Sequence, residues 1–282
     1  MEPVIRLYAF ADEASAELDR QIEAMRRNRM DGLEIRNTEY GNVSALTVSQ
    51  AKEIRRKMDD AGLVTWSIGS PIGKIKLADP IEPHLALFRH TLEIGEILGA
   101  RRFRLFSFYP PKGEDPEPYR EEVIERLGML LDAAEGSEII LCHENEKGIY
   151  GDVPKRCREL HEALPKLRAV FDFANFVQSG VNTLEAWDLL KPYVNYIHVK
   201  DAEWDRTVVP AGKGEGHVKE LIREYLAMGG RDFTLEPHLW LFAGLKDLEQ
   251  LDERTKIAVE TYKNADGAFD AAAEAFREIL SE

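Results

Sequence analysis

The sequence predicts an α/β protein that folds as a (β/α)₈ TIM barrel. Eight short runs of apolar, β-branched and aromatic residues recur along the chain, and helical patterns with one apolar face lie between them. The 282 residues suit one large barrel, so we expect a single domain over residues 1–282. A doubly wound open sheet is the competing fold, but no GxGxxG motif follows the first predicted strand.

The predicted elements alternate from one end of the chain to the other. The strands are expected at 5–10, 32–36, 64–69, 102–108, 138–144, 168–173, 196–200 and 233–237. The clearest helical patterns are 15–28, 47–62, 83–100, 217–230 and 270–282. Gly62 can adopt a positive φ and so provides a C-terminal stop for the second of these helices. The Pro-rich stretch 109–118 is interpreted as a long loop on the face of the barrel that carries active sites.

Composition narrows the classes of function. The net charge of −14 argues against a nucleic-acid partner, because such proteins neutralise phosphates with a basic surface. No apolar run approaches the roughly 18–20 residues that cross a bilayer. The N-terminus lacks the pattern of a signal peptide, so we expect a cytoplasmic protein with no membrane partner. Cys142 and Cys157 are interpreted as free thiols.

Polar residues stand at the ends of the last four predicted strands. They are Glu144, Asp172, His198 and Glu236, and the residues two positions before them are Cys142, Val170, Tyr196 and Thr234. All four of these earlier residues suit a barrel interior, so the period of two along a strand turns the polar residues inward as well. Ligands of barrel proteins bind at the C-terminal ends of the strands. Three carboxylates and one imidazole suit Mn²⁺ or Mg²⁺ and tolerate Zn²⁺ or Co²⁺.

Six segments resemble the xylose isomerase-like barrel superfamily, which contains sugar phosphate isomerases and epimerases. They are "GLEIRN", "HENEKGIYGD", "FDFANFVQSG", "YIHVKDA", "AGKGEG" and "TLEPH", and the resemblance spans residues 5 to 240. It implies that Glu144, Asp172, His198 and Glu236 hold one divalent metal ion, for which we favour Mn²⁺. It also implies that Glu144 and Glu236 exchange a proton with a keto-sugar or sugar phosphate through a metal-stabilised enediolate, which makes the protein an isomerase or epimerase.

Two departures from the pattern of the superfamily leave other functions open. Many relatives carry Asp-x-x-His where this chain has "DFAN", so Asn175 replaces a substrate-contacting histidine, and Arg206 follows the metal histidine at a slightly different offset from the usual arginine. A lyase or dehydratase acting on a 3-oxo sugar or keto-inositol is therefore the main alternative. A metal-dependent hydrolase or endonuclease is less favoured, because nuclease relatives need more histidines. A non-catalytic sugar-binding barrel, the subunit of a larger complex and a homo-oligomer also stay open.

Further residues near the predicted strand ends are candidates for contacts with a small carbohydrate. Glu34 and Arg36 could hold sugar hydroxyls or form an ion pair inside the barrel. Lys74 could polarise a carbonyl or bind an acidic group, but a solvated loop lysine is the favoured interpretation. Lys200 could stabilise developing negative charge and Asp201 could orient a ligand or bind substrate, or both could belong to a salt-bridged loop. His238 shares the parity of Glu236 and could reach a ligand, whereas His143 has the opposite parity and should face the helices. Residues 211–216, "AGKGEG", are expected to form a tight turn rather than an anion cradle.

Overall fold

A closed barrel of parallel strands forms the centre of the molecule. The computed structural model describes residues 4–242, 245, 255–258 and 261–282. Within these residues eight strands close the barrel in chain order, and the first strand pairs with the last. The strands are β1 (Arg6–Ala9), β2 (Gly32–Ile35), β3 (Val64–Gly69), β4 (Arg102–Leu105), β5 (Ile140–Glu144), β6 (Arg168–Asp172), β7 (Val194–Val199) and β8 (Asp232–Leu235). The predicted (β/α)₈ fold is confirmed.

Helices surround the strands and cover their outward faces. They are α1 (Leu18–Arg27), α2 (Val48–Ala61), α3 (Ile81–Leu98), α4 (Arg120–Ala133), α5 (Pro154–Ala163), α6 (Phe173–Gln178), α7 (Thr183–Leu190), α8 (Val218–Ala227) and α9 (Ala265–Ser281). A reciprocal capping box of Thr47 and Gln50 begins α2, and Gly62 ends it with a φ of 70°, as predicted. None of the described helices is long and apolar enough to cross a membrane.

Two strands end two or more residues earlier than predicted, and both ends have a physical reason. The run 102–108 leaves the barrel after Leu105, because Phe106 and Phe108 donate their N–H groups to Ile72 and Gly73 in the loop after β3. The run 233–237 ends at Leu235. Pro237 has no N–H to continue the ladder there. Glu236 therefore stands one residue past β8, although its N–H still bonds to the carbonyl of Val199.

Aromatic and apolar side chains fill the lower part of the barrel interior. Tyr8 and Trp66 stack with their ring centroids 4.5 Å apart, and Trp66 meets Tyr196 edge to face at 5.9 Å. Cys142 and Val170 belong to the same buried cluster. The prediction that residues two positions before the polar set face inward is thus confirmed for β5, β6 and β7. This cluster forms the floor on which the polar residues stand.

Two further predictions concern His143 and the two cysteines. His143 bonds through Nε2 to Ser107 Oγ at 2.9 Å and meets the ring of His161 in α5 at 5.9 Å. It therefore faces the helices, as its parity predicted. Cys142 and Cys157 are both free and buried.

Candidate functional site

The four polar strand-end residues converge at the upper end of the barrel. One ligand atom from each of Glu144, Asp172, His198 and Glu236 can be chosen so that all lie within 4.8 Å of one another, and all four residues are buried. β5, β6 and β7 supply the first three residues, and the residue after β8 supplies the last. We call this set the four-residue cluster. Parallel strands bring these residues together because their C-terminal ends share one rim.

His198 is held between carboxylates on both sides of its ring. Its Nδ1 lies 2.9 Å from Glu144 Oε1 and 3.5 Å from Glu236 Oε2, whereas Nε2 lies 3.1 Å from Glu34 Oε2. Burial alone would lower the pKa of His198, but the charges of Glu144 and Glu34 outweigh it and raise that pKa well above the usual value. In the metal-free protein the ring is therefore charged and donates from both nitrogens.

Lys200 places a cation between two members of the four-residue cluster. Its Nζ lies 3.1 Å from Asp172 Oδ2 and 3.0 Å from Glu236 Oε2. Burial works against its charge, but these carboxylates raise the pKa of Lys200 well above its usual value. Burial raises the pKa of Asp172 to about 7, with Lys200 opposing the shift and the neighbouring glutamates adding to it.

Glu236 is held in its charged form by its neighbours. Burial would raise the pKa of Glu236, but Lys200, His238 and His198 together lower it well below the usual value. Arg36 adds a contact from Nη1 to Glu236 Oε1 at 3.2 Å. The site thus contains a carboxylate that stays ionised at neutral pH.

Arg36 forms ion pairs inside the barrel, which was one of its two predicted roles. It is not exposed, as a contact with sugar hydroxyls would require. Its guanidinium is fully buried and binds Asp12, Glu13 and Glu236. The rings of Phe10 and Phe242 lie on it, each with its centroid 4.5 Å from the guanidinium carbon. Asp12 and Glu13, in a short 3₁₀ helix after β1, were not predicted as site residues.

Glu34 lies beneath the cluster. Its Oε1 accepts hydrogen bonds from Tyr196 at 2.9 Å and Ser67 at 3.1 Å, and its Oε2 faces His198. The side chain is fully buried. The geometry therefore favours the interior ion pair over contact with sugar hydroxyls.

A narrow cavity opens beside the four-residue cluster. Lys74 lies in its wall with 6% of its side chain exposed and bonds to Glu146 Oε2 at 3.0 Å, so the alternative of a solvated loop lysine is wrong. Burial lowers the pKa of Lys74, with Glu146 opposing the shift. The cavity is lined by Lys74, Arg104, Glu144, Glu146, Lys147, Asn175, Lys200, Glu236, His238 and Thr255.

Arg104 is the cavity residue that the strand-end argument missed. It lies on β4, is 3% exposed along its side chain, and its Nη1 donates to Glu144 Oε2 at 3.1 Å. A signal was present in the sequence, because Arg104 is a charged residue inside the otherwise apolar run "FRLF". Glu146 and Lys147 were also missed, since they follow β5 in a loop whose path has no periodicity.

Asn175 and His238 lie in the cavity wall, as predicted for residues near the site. Asn175 Nδ2 donates to Glu144 Oε1 at 3.3 Å and to the carbonyl of Asn145 at 3.0 Å. His238 has a φ of 48°, and its N–H donates to Glu13 Oε2 at 2.5 Å. This bond holds His238 in a backbone conformation that is uncommon for a residue with a side chain.

Asp201 and Arg206 lie away from the cavity. Asp201 accepts four backbone N–H groups at 2.9 Å, from Ala202, Gly212, Gly214 and Gly216. Its contacts therefore place Asp201 in the structure of the loop, but through backbone N–H groups and not through the predicted salt bridge, and it shapes the turn predicted at 211–216. Arg206 lies in a separate surface depression together with Trp204.

Comparison with known proteins places this geometry in a family. A family model described as xylose isomerase-like TIM barrel matches residues 22–238. No curated protein sequence gives a significant match. The three solved structures described next are only 14–16% identical to this chain, so they support the fold alone.

These three structures illustrate the range of the fold. The probable 3-DHS dehydratase AsbF from Bacillus anthracis has a TM-score of 0.74 and 16% identity, with 97% of this chain and 99% of that chain covered. The D-psicose 3-epimerase from Clostridium cellulolyticum H10 has a TM-score of 0.75 and 14% identity, covering 98% and 99%. The IOLI protein with a bound zinc atom has a TM-score of 0.76 and 14% identity, covering 98% of each chain.

Proposed function

Because the chain belongs to the xylose isomerase-like TIM barrel family, we propose that it is a divalent-metal-dependent isomerase or epimerase of keto-sugars or sugar phosphates. The observation that carries the proposal is the convergence of Glu144, Asp172, His198 and Glu236 within 4.8 Å. A small carbohydrate is the proposed partner. The structural similarity to a D-psicose 3-epimerase supports this class of substrate.

The residues of the four-residue cluster fit a divalent cation. Three carboxylates and one imidazole are a donor set for Mn²⁺, which we favour, and also for Mg²⁺, Co²⁺ or Zn²⁺. Asp172 Oδ2 is buried and contacts Lys200 Nζ at 3.1 Å, a position that a metal ion could take over as the neutralising charge. When bound, the ion would act as a Lewis acid on a carbonyl oxygen of the substrate.

Other residues of the chain would orient the ligand side chains and stabilise charge on the substrate. Glu34 would orient His198 through Nε2, leaving Nδ1 directed at the cluster, since metal-binding histidines commonly donate their other N–H to a carboxylate. Asn175 would orient Glu144. Lys200 would stabilise negative charge that develops on the substrate.

Two glutamates would move the proton. Glu236 is ionised at neutral pH and would therefore be the group that accepts a proton from the carbon next to the carbonyl. Glu144 would donate a second proton from the other side, which leaves Glu236 protonated and Glu144 ionised. Protonation on the opposite face of the same carbon gives an epimer, and protonation of the neighbouring carbon gives an isomer.

A lyase or dehydratase is the second candidate. The similarity to a probable 3-DHS dehydratase supports it. Asn175 supports it too, because an amide cannot shuttle a proton as the usual histidine could. In that reaction Glu236 would remove the same proton, and a group on the next carbon would leave.

Exchange of substrate hydrogen with D₂O tests the proposal. The Glu144→Gln and Glu236→Gln variants should each lose at least about a hundredfold in exchange rate with the fold retained, which is the size of a general-base effect. Glu203→Gln, a change of the same kind at an exposed residue, should keep the rate. Product mass separates the isomerase from the lyase, because a lyase product has lost water or another group. Near-normal exchange in both site variants would reject the roles assigned to the two glutamates.

A further inference from the structure

Arg104 has a buried edge that no described residue satisfies. Its Nη1 donates to Glu144 Oε2, but Nε and Nη2 are buried without a hydrogen-bond partner among the described residues. Donors that are removed from water and left unpaired are unfavourable, so native proteins rarely keep them without a purpose. Two such donors on one side chain in the wall of the candidate site point to a ligand.

The two unpaired nitrogens form the edge of the guanidinium that binds carboxylates in a bidentate manner. Arg36 shows this geometry in the same barrel, because its Nε donates to Asp12 Oδ2 at 2.8 Å and its Nη2 to Asp12 Oδ1 at 3.0 Å. Planar arginine edges match the two oxygens of a carboxylate, and the charge strengthens both bonds. The edge of Arg104 is therefore suited to the same partner.

The surroundings of Arg104 fix its plane. The guanidinium carbon lies 4.6 Å from the ring centroid of Phe106 and 5.4 Å from that of Phe10. A Cβ built on Gly69 would lie 3.1 Å from Arg104 Nη2 and 2.4 Å from Phe10 Cε1. The lack of a side chain at residue 69 therefore lets the ring of Phe10 and the Nη2 end of Arg104 pack close to the backbone of β3.

The same wall of the cavity is rich in cations. Lys74 and Lys147 both line the cavity, and both bind the single carboxylate of Glu146, at 3.0 Å and 3.4 Å. Arg104 adds a third cation to the same wall and is itself paired with Glu144. A negatively charged group of a substrate would be attracted to these three cations.

We propose that the substrate carries a carboxylate, which Arg104 binds through Nε and Nη2 while Lys74 and Lys147 provide a favourable field. This inference rests on the proposed function and narrows its substrate class from keto-sugars or sugar phosphates to sugar acids and related hydroxy-keto acids. Arg104 is then a specificity-determining residue that contacts the substrate.

Matched pairs of ligands test the proposal on the Mn²⁺-loaded protein. Binding is measured by calorimetry for D-fructuronate against D-fructose and for D-glucuronate against D-glucose, which differ in the carboxylate. D-fructose 6-phosphate is measured beside them as the phosphate arm. The acids should bind at least about tenfold more tightly than their neutral partners, as charge-assisted bidentate bonds allow.

The Arg104→Lys variant should lose most of this preference, while the affinity for the neutral sugars changes less than about threefold. If Arg104→Lys acted only by disturbing Glu144, it would weaken the binding of acids and neutral sugars alike. The ratio of acid affinity to neutral-sugar affinity therefore distinguishes loss of the carboxylate contact from a disturbed Glu144. Arg101→Met removes an exposed arginine just before β4 and should leave the ratio unchanged. If Arg104→Lys does not fold, Lys147→Met should lower the ratio in the same direction.

Several outcomes would overturn the proposal. Equal affinity for acids and neutral sugars in the unaltered protein would do so, as would an acid preference that survives Arg104→Lys. Tight binding of D-fructose 6-phosphate with no binding of the uronates would assign the edge to phosphate instead. Deuterium exchange with neutral keto-sugars alone would sink this inference and leave the proposed function standing. A preference for the acids with no deuterium exchange for any ligand would support this inference and contradict the proposed function.

Discussion

Binding of Mn²⁺ to the four-residue cluster should weaken steeply as the pH falls. His198 carries a proton on Nδ1 in the metal-free protein, because Glu144 and Glu34 raise its pKa well above the usual 6.5. A metal ion needs that nitrogen free, so each ion bound must displace one proton. One displaced proton changes the binding constant about tenfold per pH unit, or about 1.4 kcal/mol.

The raised pKa values of His198 and Asp172 decide whether Mn²⁺ affinity rises or falls with pH and in which pH range it changes. Because the pKa of His198 lies above 6.5, the metal-free ring stays protonated throughout pH 5.5–6.5, and affinity should rise with pH across the whole window. Asp172, with a pKa raised to about 7 by burial against the opposing charge of Lys200, is protonated in much of the same window. A second displaced proton would steepen the slope towards about a hundredfold per pH unit.

Calorimetric titration with Mn²⁺ at pH 5.5, 6.0 and 6.5 measures the slope. Buffers of different ionisation enthalpy at each pH count the protons released per ion, and circular dichroism checks that the fold persists. Glu34→Gln is the matched variant, because it removes one carboxylate that raises the pKa of His198. The Mn²⁺ affinity of this variant should therefore stop rising at a lower pH than that of the unaltered protein. An affinity that stays flat between pH 5.5 and 6.5, with less than half a proton released per ion, would refute the reasoning.

Three substitutions test the contacts that support the site, each by the urea midpoint at constant m-value. Asp201→Asn replaces one acceptor oxygen with an amide, which leaves two backbone N–H groups unpaired and should cost about 2–4 kcal/mol; a loss under about 0.5 kcal/mol would contradict this. Gly73→Ala should cost at least about 2 kcal/mol, because its φ is 90° and a Cβ would lie 2.0 Å from the carbonyl oxygen of Phe106. Its control, Gly128→Ala in α4, has no atom within 4 Å of the added Cβ and should gain about 0.5–1 kcal/mol. Arg36→Met leaves three buried carboxylates without their shared cation and should cost about 3–5 kcal/mol; an unchanged midpoint would show that Arg36 does not hold them.

The position of the four-residue cluster could be predicted because it depends on regular geometry. Side chains alternate along a strand, so Cys142 inside the barrel places Glu144 inside as well, and Tyr196 does the same for His198. Parallel strands then bring their C-terminal residues to one rim. These two rules need no knowledge of loops or of partners, and the sequence alone therefore sufficed.

The partners of these residues could not be predicted in the same way. Asp12 and Glu13 lie in a short 3₁₀ helix, where no strand period indicates which way they face, yet they decide that Arg36 is buried. Lys74 comes from a loop whose path is fixed by bonds such as that from Gly73 N–H to His84 Nε2 at 2.8 Å. Contacts of this kind depend on distant parts of the chain, so a sequence pattern supplies the candidates but not the pairs.

Glu236 joins the chemistry of the site to the stability of the fold. Its Oε1 lies 3.2 Å from Arg36 and its Oε2 3.0 Å from Lys200, so a carboxylate proposed to move a proton also neutralises two buried cations. Buried ion pairs of this kind are often no more stable than apolar packing, but losing one partner is strongly destabilising because the other charge stays buried. Substituting Arg36 or Lys200 therefore changes the proton affinity of Glu236 and the folding free energy together. A loss of activity in either variant identifies a role in catalysis only when the folding free energy of the same variant has been measured beside it.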